Sequence, residues 1–251
     1  MRFPGSAVLA LGLALGLAHA TPSLATSLDI GRAIGAASDL GKAATVSDDE
    51  VKSYARQMRA YEEKSREKVA PASSKTAQRL AALTDRYRNY DGLNLNFKVY
   101  QSSQVNANAS ADGSVRVYAG LMDMMTDDEL LFVIGHEIGH VKHGHSAKAM
   151  RTALATSGMR KAAGAAGNAT VSTLADSELG GLLQAVVNAQ HSQAQETQSD
   201  DYGLEFLRKA RGKTDGAASS LRKLAKLGGG GASILSSHPD PARRADRMGK
   251  G

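Results

Sequence analysis

The sequence predicts an α+β fold that is mainly α-helical, with a small β-region in the middle of the chain. Three observations support this class. Helix-favouring stretches cover most of residues 48–90 and 126–227. Only residues 95–101 and 114–119 alternate between apolar and polar side chains as strands do. No internal repeat divides the 251 residues, so we expect one domain after an N-terminal leader.

The first twenty residues are predicted to be a cleavable signal peptide. Arg2 gives a positive start, residues 7–18 form an uninterrupted apolar run, and Ala18-His19-Ala20 is a small-residue cleavage site. The apolar run is too short to span a bilayer. We therefore expect cleavage after Ala20 and a periplasmic or secreted protein.

Two helices are predicted ahead of the β-region, over residues 48–70 and 75–90. The first is rich in charged residues and ends before Pro71, and the second begins after a serine. Asp91-Gly92 and Asp112-Gly113 are predicted turns, and the latter comes directly before the second strand.

The most informative helix follows the strands. Thr126 and Glu129 form a capping box that begins it, and an apolar run leads into residues 136–140, His-Glu-Ile-Gly-His. Two histidines four residues apart lie about 40° from each other around a helix, so both rings can bind one metal ion. Glu137 lies on the same arc. Two nitrogen ligands beside a base are what a zinc hydrolase needs, and the alternative is an ordinary helix with surface histidines.

The rest of the chain is predicted to be helical, over residues 150–190, 189–209 and 216–227 and in a short basic tail. The first of these segments is rich in alanine and glycine, and we expect breaks at Gly164, at Gly167, and at Gly180 and Gly181. Four consecutive glycines at 228–231 must be flexible or form a sharp turn, and we hypothesise that they are a hinge.

Composition excludes several function classes. The chain has no cysteine, which excludes disulfides, thiolate zinc sites, cysteine nucleophiles and a lipid anchor on an N-terminal cysteine. Its formal net charge is +6 and its pI is about 9.5, which favours peripheral contact with anionic membrane or cell-wall surfaces. Lysine and arginine are scattered, with no basic cluster among aromatics, so we predict no nucleic-acid binding.

A catalytic zinc needs a third protein ligand. His143 lies close to the ligand arc and His145 points to the opposite side, and three ligands from one helix are geometrically awkward. Glu196 is the better candidate, because Asp200 lies one turn further along the same face and can accept the far N–H of a ligand histidine. The alternative for this acidic pair is a solvated helix face, and for the two histidines a solvated or supporting position.

Three motifs carry a resemblance to a known family. Residues 97–145, which contain HEIGHVKHGH, resemble the zinc endopeptidases of the CAAX-prenyl-protease and HtpX type. Residues 196–203 match that family's Glu-x-x-Ala-Asp-x-x-Gly helix, with Ser199 in place of alanine, and residues 237–244 match its His-Pro-x-x-x-x-Arg signature. The similarity covers about residues 80–250 and implies a zincin-like catalytic domain of the gluzincin kind.

The resemblance implies roles at the metal. His136, His140 and Glu196 are the expected ligands of one zinc ion per chain. Glu137 is the expected catalytic acid/base, and Asp200 is expected to orient a ligand histidine.

The resemblance also implies residues that surround the metal and the substrate. His238 and Arg244 are expected close to the zinc as further catalytic residues, where His238 either stabilises the oxyanion or caps the zinc in a latent state. Asn106-Ala107 is the expected edge strand that receives the substrate backbone by strand addition.

The chain departs from the family pattern at three points. Asn108 stands where phenylalanine is usual after Asn-Ala, and Gln193 stands where an arginine is usual. Lipid-tethered members carry an N-terminal cysteine that this chain lacks, so we expect a soluble periplasmic enzyme.

Together these expectations predict a zinc-dependent endopeptidase of the bacterial cell envelope that acts on unfolded or misassembled polypeptides. Its single domain is expected over residues 21–251, with a helical part at 21–90 and the catalytic core at 91–251. Two alternatives stay open, a zinc-binding envelope chaperone or scaffold without proteolysis and a hydrolase of cell-wall peptides.

Overall fold

Helices make up most of the chain that the computed structural model describes, which is residues 46–156, 173–227 and 233–249. The helices are α1 (Asp48–Ser65), α2 (Lys75–Thr84), α3 (Ala119–Met124), α4 (Asp127–Lys142), α5 (His145–Thr156), α6 (Asp176–Val187), α7 (Gln193–Arg211), α8 (Asp215–Ala225), α9 (Ser233–Ser237) and α10 (Pro241–Met248). The strands are β1 (Asn89–Tyr90), β2 (Leu93–Asn94), β3 (Asn96–Tyr100), β4 (Ala107–Ala109) and β5 (Ser114–Tyr118). The mainly helical α+β fold is confirmed.

α4 is the central helix, and its start follows from local chemistry. The Thr126 backbone N–H donates to Glu129 Oε2 over 2.8 Å, and Thr126 Oγ1 accepts from the Glu129 N–H, so the predicted capping box is present. The twelve consecutive residues 129–140 are all buried. A helix buried on every side needs apolar residues around its circumference, and the run before the His-Glu-Ile-Gly-His motif supplies them.

Three strands form the sheet that lies against α4, in the order β3-β5-β4. β5 runs parallel to β3 and antiparallel to β4, so β4 is an edge strand. The strands predicted over residues 95–101 and 114–119 agree with β3 and β5 to within one residue at each end. β4 begins at the second residue of Asn106-Ala107, where the family resemblance placed an edge strand.

The helix predicted over residues 48–70 is too long. α1 ends at Ser65. The Ala70 N–H donates to the Val99 carbonyl oxygen over 2.8 Å, so the chain extends beside β3 and does not continue the helix. Pairing with a strand that is distant in sequence outweighs the helix propensity of residues 66–70.

The helix predicted over residues 75–90 also ends early. α2 ends at Thr84, a 3-10 turn (Asp85–Tyr87) follows, and β1 pairs with β2 as a hairpin. The predicted Asp91-Gly92 turn is present, with φ of 52° and 75° at its two residues. Positive φ at both central residues is typical of the type I′ turn, whose twist matches that of two paired strands. This turn therefore favours a strand on each side of it and not a continuing helix.

Gly180 and Gly181 do not break a helix as predicted, because α6 runs through both. The neighbouring Leu182 is fully buried, and its packing holds the helix against the entropic cost of glycine. The helices predicted over residues 189–209 and 216–227 correspond to α7 and α8.

Three predictions fall outside the described residues. These are the signal peptide at 1–20, the breaks at Gly164 and Gly167, and the glycine hinge at 228–231. The division of the domain at residue 90 stays a prediction. Among the described helices, none is long and apolar enough to cross a membrane.

α4 and α7 cross closely, and glycines make this crossing possible. Gly135 and Gly139 of α4 face α7, and Gly203 of α7 faces α4. A Cβ atom on Gly203 would lie 2.9 Å from the His136 backbone nitrogen and 3.0 Å from the Phe132 carbonyl oxygen, which leaves no room for a methyl group. The crossing therefore fixes how far the side chains of α4 lie from those of α7.

Gly203→Ala is expected to lower the free energy of unfolding by about 1–3 kcal/mol, because the added methyl group must push two helix backbones apart. Gly181→Ala is the matched control, since the same methyl group then stands in the middle of α6 with no atom outside its own helix backbone within 4 Å among the residues that the structure describes. We expect this control to be neutral or to stabilise the protein by up to about 1 kcal/mol through helix propensity. Urea unfolding of the metal-free variants, followed by circular dichroism, measures the difference. Equal stability of the two variants would contradict the close crossing.

Candidate metal centre

Two crossing helices and the segment after α9 bring four metal-binding side chains together. α4 carries His136 and His140, α7 carries Glu196, and His238 follows α9. One ligand atom from each residue lies within 4.8 Å of all the others, and all four residues are buried. The structure thus brings together the three predicted ligands and adds His238 as a fourth candidate.

The facing atoms form a donor set that zinc prefers. His136 Nε2 lies 3.0 Å from His140 Nε2 and 3.2 Å from His238 Nδ1. Glu196 Oε1 lies 3.3 Å from His140 Nε2 and 3.1 Å from His238 Nδ1. Imidazole nitrogens and a carboxylate oxygen are the ligands of hydrolytic zinc sites, and a cation among them satisfies lone pairs that would otherwise repel one another. The residues fit one zinc ion.

Glu137 lies beside these four residues and has a free carboxylate oxygen. Its Oε1 atom is buried and has no hydrogen-bond partner in the part of the chain that the structure describes, and His238 Nε2 is 3.5 Å away. Burial raises the pKa of the Glu137 carboxyl group. A buried carboxylate with a free oxygen next to metal ligands has the position and the proton affinity that a general base requires.

Asp200 and Arg244 hold the candidate ligands from behind. His136 Nδ1 donates to Asp200 Oδ1 over 3.0 Å, which leaves Nε2 free for a metal. Arg244 Nε donates to Asp200 Oδ2 over 2.9 Å, and Arg244 Nη1 forms an ion pair with Glu196. Burial acts to raise the pKa of Asp200, but the hydrogen bonds from His136 and Arg244 lower it to about 2, so the carboxylate stays charged. Both residues therefore lie next to the cluster of candidate ligands.

His145 lies beside His140, and its predicted position on the opposite side was wrong. α4 ends at Lys142, and Gly144, with φ of 73°, turns the chain before α5 begins. His145 Nδ1 therefore lies 3.1 Å from His140 Nδ1, whereas His143 is exposed. The prediction assumed a continuous helix, which a left-handed glycine ends.

β4 forms one wall of a cleft that leads to the metal centre. The cleft holds about 100 Å³ and is lined by β4 together with Glu137 and His238. The Tyr118 N–H donates to the Asn106 carbonyl oxygen, so Asn106 turns its backbone groups towards β5. By the alternation of an antiparallel pair, Ala107 turns its N–H and C=O away from β5, towards the open edge of the sheet.

Two of the three departures from the family pattern have partners in the structure. Asn108 Oδ1 accepts from Arg59 Nη2 over 2.8 Å, and the same nitrogen donates to Ser110 Oγ over 2.5 Å. Gln193 Nε2 donates to Asp240 Oδ2 over 3.4 Å. Arg59 belongs to α1, so the first described helix reaches the edge strand through the residue that replaces phenylalanine.

His191 is a site residue that the sequence analysis missed. Its ring centroid lies 3.9 Å from that of His140 and 5.1 Å from that of His238. Burial lowers the pKa of His191 to about 3, so its ring is neutral. It stands directly before Ser192, the N-cap of α7, and a histidine ahead of a capping box is the sequence signal that could have pointed to it.

Comparison with known proteins assigns this site to a class. Residues 74–250 match the sequence model of Peptidase family M48, and the chain belongs to that family. It is therefore a metalloendopeptidase, and its metal is zinc. The resemblance drawn from the three sequence motifs is confirmed.

Two curated relatives cover most of the chain. The sequence is 44% identical to Metalloprotease LoiP of Escherichia coli (strain K12) over 209 residues, which is 82% of this chain and 82% of that protein. It is 40% identical to Metalloprotease YcaL of the same organism over 223 residues, which is 88% of this chain and 87% of that protein.

Proposed function

We propose that this zinc endopeptidase degrades unfolded or misassembled proteins in the bacterial cell envelope, with His136, His140 and Glu196 as zinc ligands and Glu137 as acid/base. The observation that carries these roles is the free, buried oxygen of Glu137 beside a cluster of ligand atoms. Asp200 orients His136 from the outside, as the partners of ligand histidines generally do.

The proposed reaction is direct attack of water on a peptide bond. Bound zinc supplies a Lewis acid that lowers the pKa of water and polarises the scissile carbonyl group. Glu137 Oε1 takes the proton of the attacking water and delivers it to the leaving amine. Asp200 keeps the Nε2 lone pair of His136 directed into the cluster, and Arg244 keeps Asp200 and Glu196 ionised and in place.

The edge strand supports an unfolded polypeptide as the substrate. Ala107 turns a backbone N–H and C=O towards the open edge, and these groups can pair with an extended peptide as an added strand. Backbone pairing does not depend on particular side chains of the substrate. It therefore suits substrates that share an extended conformation but differ in sequence. Extended segments become accessible when a protein is unfolded or misassembled.

Glu137→Gln is expected to keep zinc and to lower kcat for casein by about 10²–10⁴-fold, because the amide fills the same space and cannot take a proton. Glu196→Ala is expected to lose zinc, together with the thermal stability that bound metal adds. Metal analysis, melting curves with and without chelator, and a casein digest measure these effects. Wild-type zinc content in Glu196→Ala would show that another residue is the third ligand. Undiminished hydrolysis by Glu137→Gln would show that Glu137 is not the acid/base.

The control for both variants is His143→Ala, which changes an exposed histidine near the motif and should alter neither readout. A cell-wall substrate is the second candidate, because the formal net charge of +6 favours anionic surfaces. The same preparations are therefore assayed for peptide fragments released from purified cell wall. Release of wall fragments without casein cleavage would replace the proposed substrate class.

His238 has two proposed roles, as a cap on the zinc in a latent state or as a donor to the oxyanion. The position of Nδ1 among the other ligand atoms supports the cap, because a catalytic zinc leaves its fourth position open. His238→Ala is then expected to keep zinc and to raise the initial rate of casein hydrolysis several-fold. A fall in kcat of about 10²–10³-fold would instead assign His238 to the oxyanion.

The envelope location rests on the N-terminal residues, where Arg2 and an apolar run precede Ala18-His19-Ala20. The full chain, expressed in a Gram-negative host, is expected in the periplasmic fraction with Thr21 as its first residue. N-terminal sequencing of that fraction measures this. Accumulation of the chain in the cytoplasm with residues 1–20 intact would argue against the proposal.

A further inference from the structure

His140 and His145 face each other through ring nitrogens that the metal cluster does not use. His145 Nδ1 lies 3.1 Å from His140 Nδ1, and His145 Nε2 lies 3.0 Å from Gln198 Oε1. His140 is 1% exposed and His145 is 6% exposed, so both rings are shielded from water. Side chains from α4, α5 and α7 thus form one hydrogen-bonded chain that ends at a residue of the metal centre.

The hydrogen bonds that link His140, His145 and Gln198 can have only one donor-to-acceptor order if His140 is to bind a metal through Nε2. Gln198 Oε1 is a carbonyl oxygen and only accepts, so His145 carries its proton on Nε2. A neutral imidazole has a single N–H, which leaves Nδ1 of His145 as an acceptor. His140 then donates from Nδ1, and its Nε2 lone pair points into the cluster. In the reverse direction a proton would occupy His140 Nε2 and block the metal.

We propose that His145 is a positioning residue for the metal centre, which accepts the Nδ1 proton of His140 and so fixes the ring and the tautomer that bind zinc. His145 acts on His140 as Asp200 acts on His136, with a neutral nitrogen in place of a carboxylate. Gln198 completes the arrangement by fixing the tautomer of His145 itself. The inference rests on the proposed role of His140 as a zinc ligand.

Asp200 and His145 act on their ligand histidines in different ways. Asp200 is charged and hydrogen-bonded to Arg244, so it makes His136 a more basic ligand. A neutral His145 adds no charge beside His140, and its main effect is orientation. Because α5 carries His145 and also lines the cleft through Ser146, the same helix positions one ligand and one wall of the cleft.

Two substitutions at His145 distinguish the effect of the hydrogen-bond acceptor from the effect of the side chain's volume. His145→Asn keeps an acceptor oxygen close to the place of Nδ1, and His145→Leu keeps a side chain of similar bulk without an acceptor. We expect His145→Leu to weaken zinc binding by about 10–100-fold in competition with a fluorescent chelator, and His145→Asn to restore most of that affinity. His143→Ala is the matched control, because this histidine is exposed and should bind zinc like the wild type.

Melting curves of the metal-free proteins distinguish positioning from a loss of fold. A positioning role predicts that the metal-free Leu and Asn variants melt alike and differ only in their affinity for zinc. Equal zinc affinity of His145→Leu and the wild type would overturn the proposal, as would an Asn variant that binds zinc as weakly as the Leu variant.

The tautomers themselves are a second readout that needs no substitution. In the zinc-loaded wild type with isotope-labelled histidine, two-bond proton–nitrogen spectra are expected to show the proton of His145 on Nε2 and that of His140 on Nδ1. A proton on Nδ1 of His145 would overturn the proposal. His140→Ala distinguishes a failure of the ligand role of His140 from a failure of the positioning role of His145. If this variant binds zinc like the wild type, the ligand role fails, whereas loss of zinc in His140→Ala with none in His145→Leu rejects the positioning role alone.

Discussion

The close crossing of α4 and α7 is the constraint on which the metal centre depends. Gly135, Gly139 and Gly203 let the two helices approach so closely that a Cβ atom at any of the three positions would lie 3.0 Å or less from an atom of the other helix. Histidine and glutamate side chains have fixed lengths, so their ligand atoms converge only when the two helices keep one separation. The capping box and the buried apolar run of α4 hold that helix in place, and Asp200 with Arg244 then fixes the direction of the rings and carboxylates across the crossing.

The local parts of the site could be predicted from the sequence. The spacing of His136 and His140, like that of Glu196 and Asp200, places two side chains on one helix face by the 3.6-residue period alone. Meeting of the two faces could not be derived from that period, because it depends on contacts between helices. There the family resemblance supplied what the periodicity did not, and Arg244 and His238 entered the prediction only in that way.

The failures have two causes, which are competition from segments distant in sequence and a local helix end that the pattern did not indicate. Residues 66–70 leave the helical path because β3 offers hydrogen bonds to their backbone. The left-handed residue Gly144 ends α4 and turns the chain, so His145 lies beside His140. In a continuous helix it would have pointed to the opposite side. His191 lies in a loop without periodicity, and its N–H donates to the Ser237 carbonyl oxygen over 3.1 Å, so its place is set by the segment next to His238.

α1 extends the cleft beyond the residues that match the family model. The match to the family covers residues 74–250, yet Arg59 lies on the cleft wall and donates to Asn108 and Ser110. The cleft wall is therefore built in part by a helix that lies outside the matched residues 74–250. Arg59 and Asn108 are separate from the four residues of the metal cluster, so substitutions at these two positions can reshape the cleft wall and leave every metal-binding side chain in place.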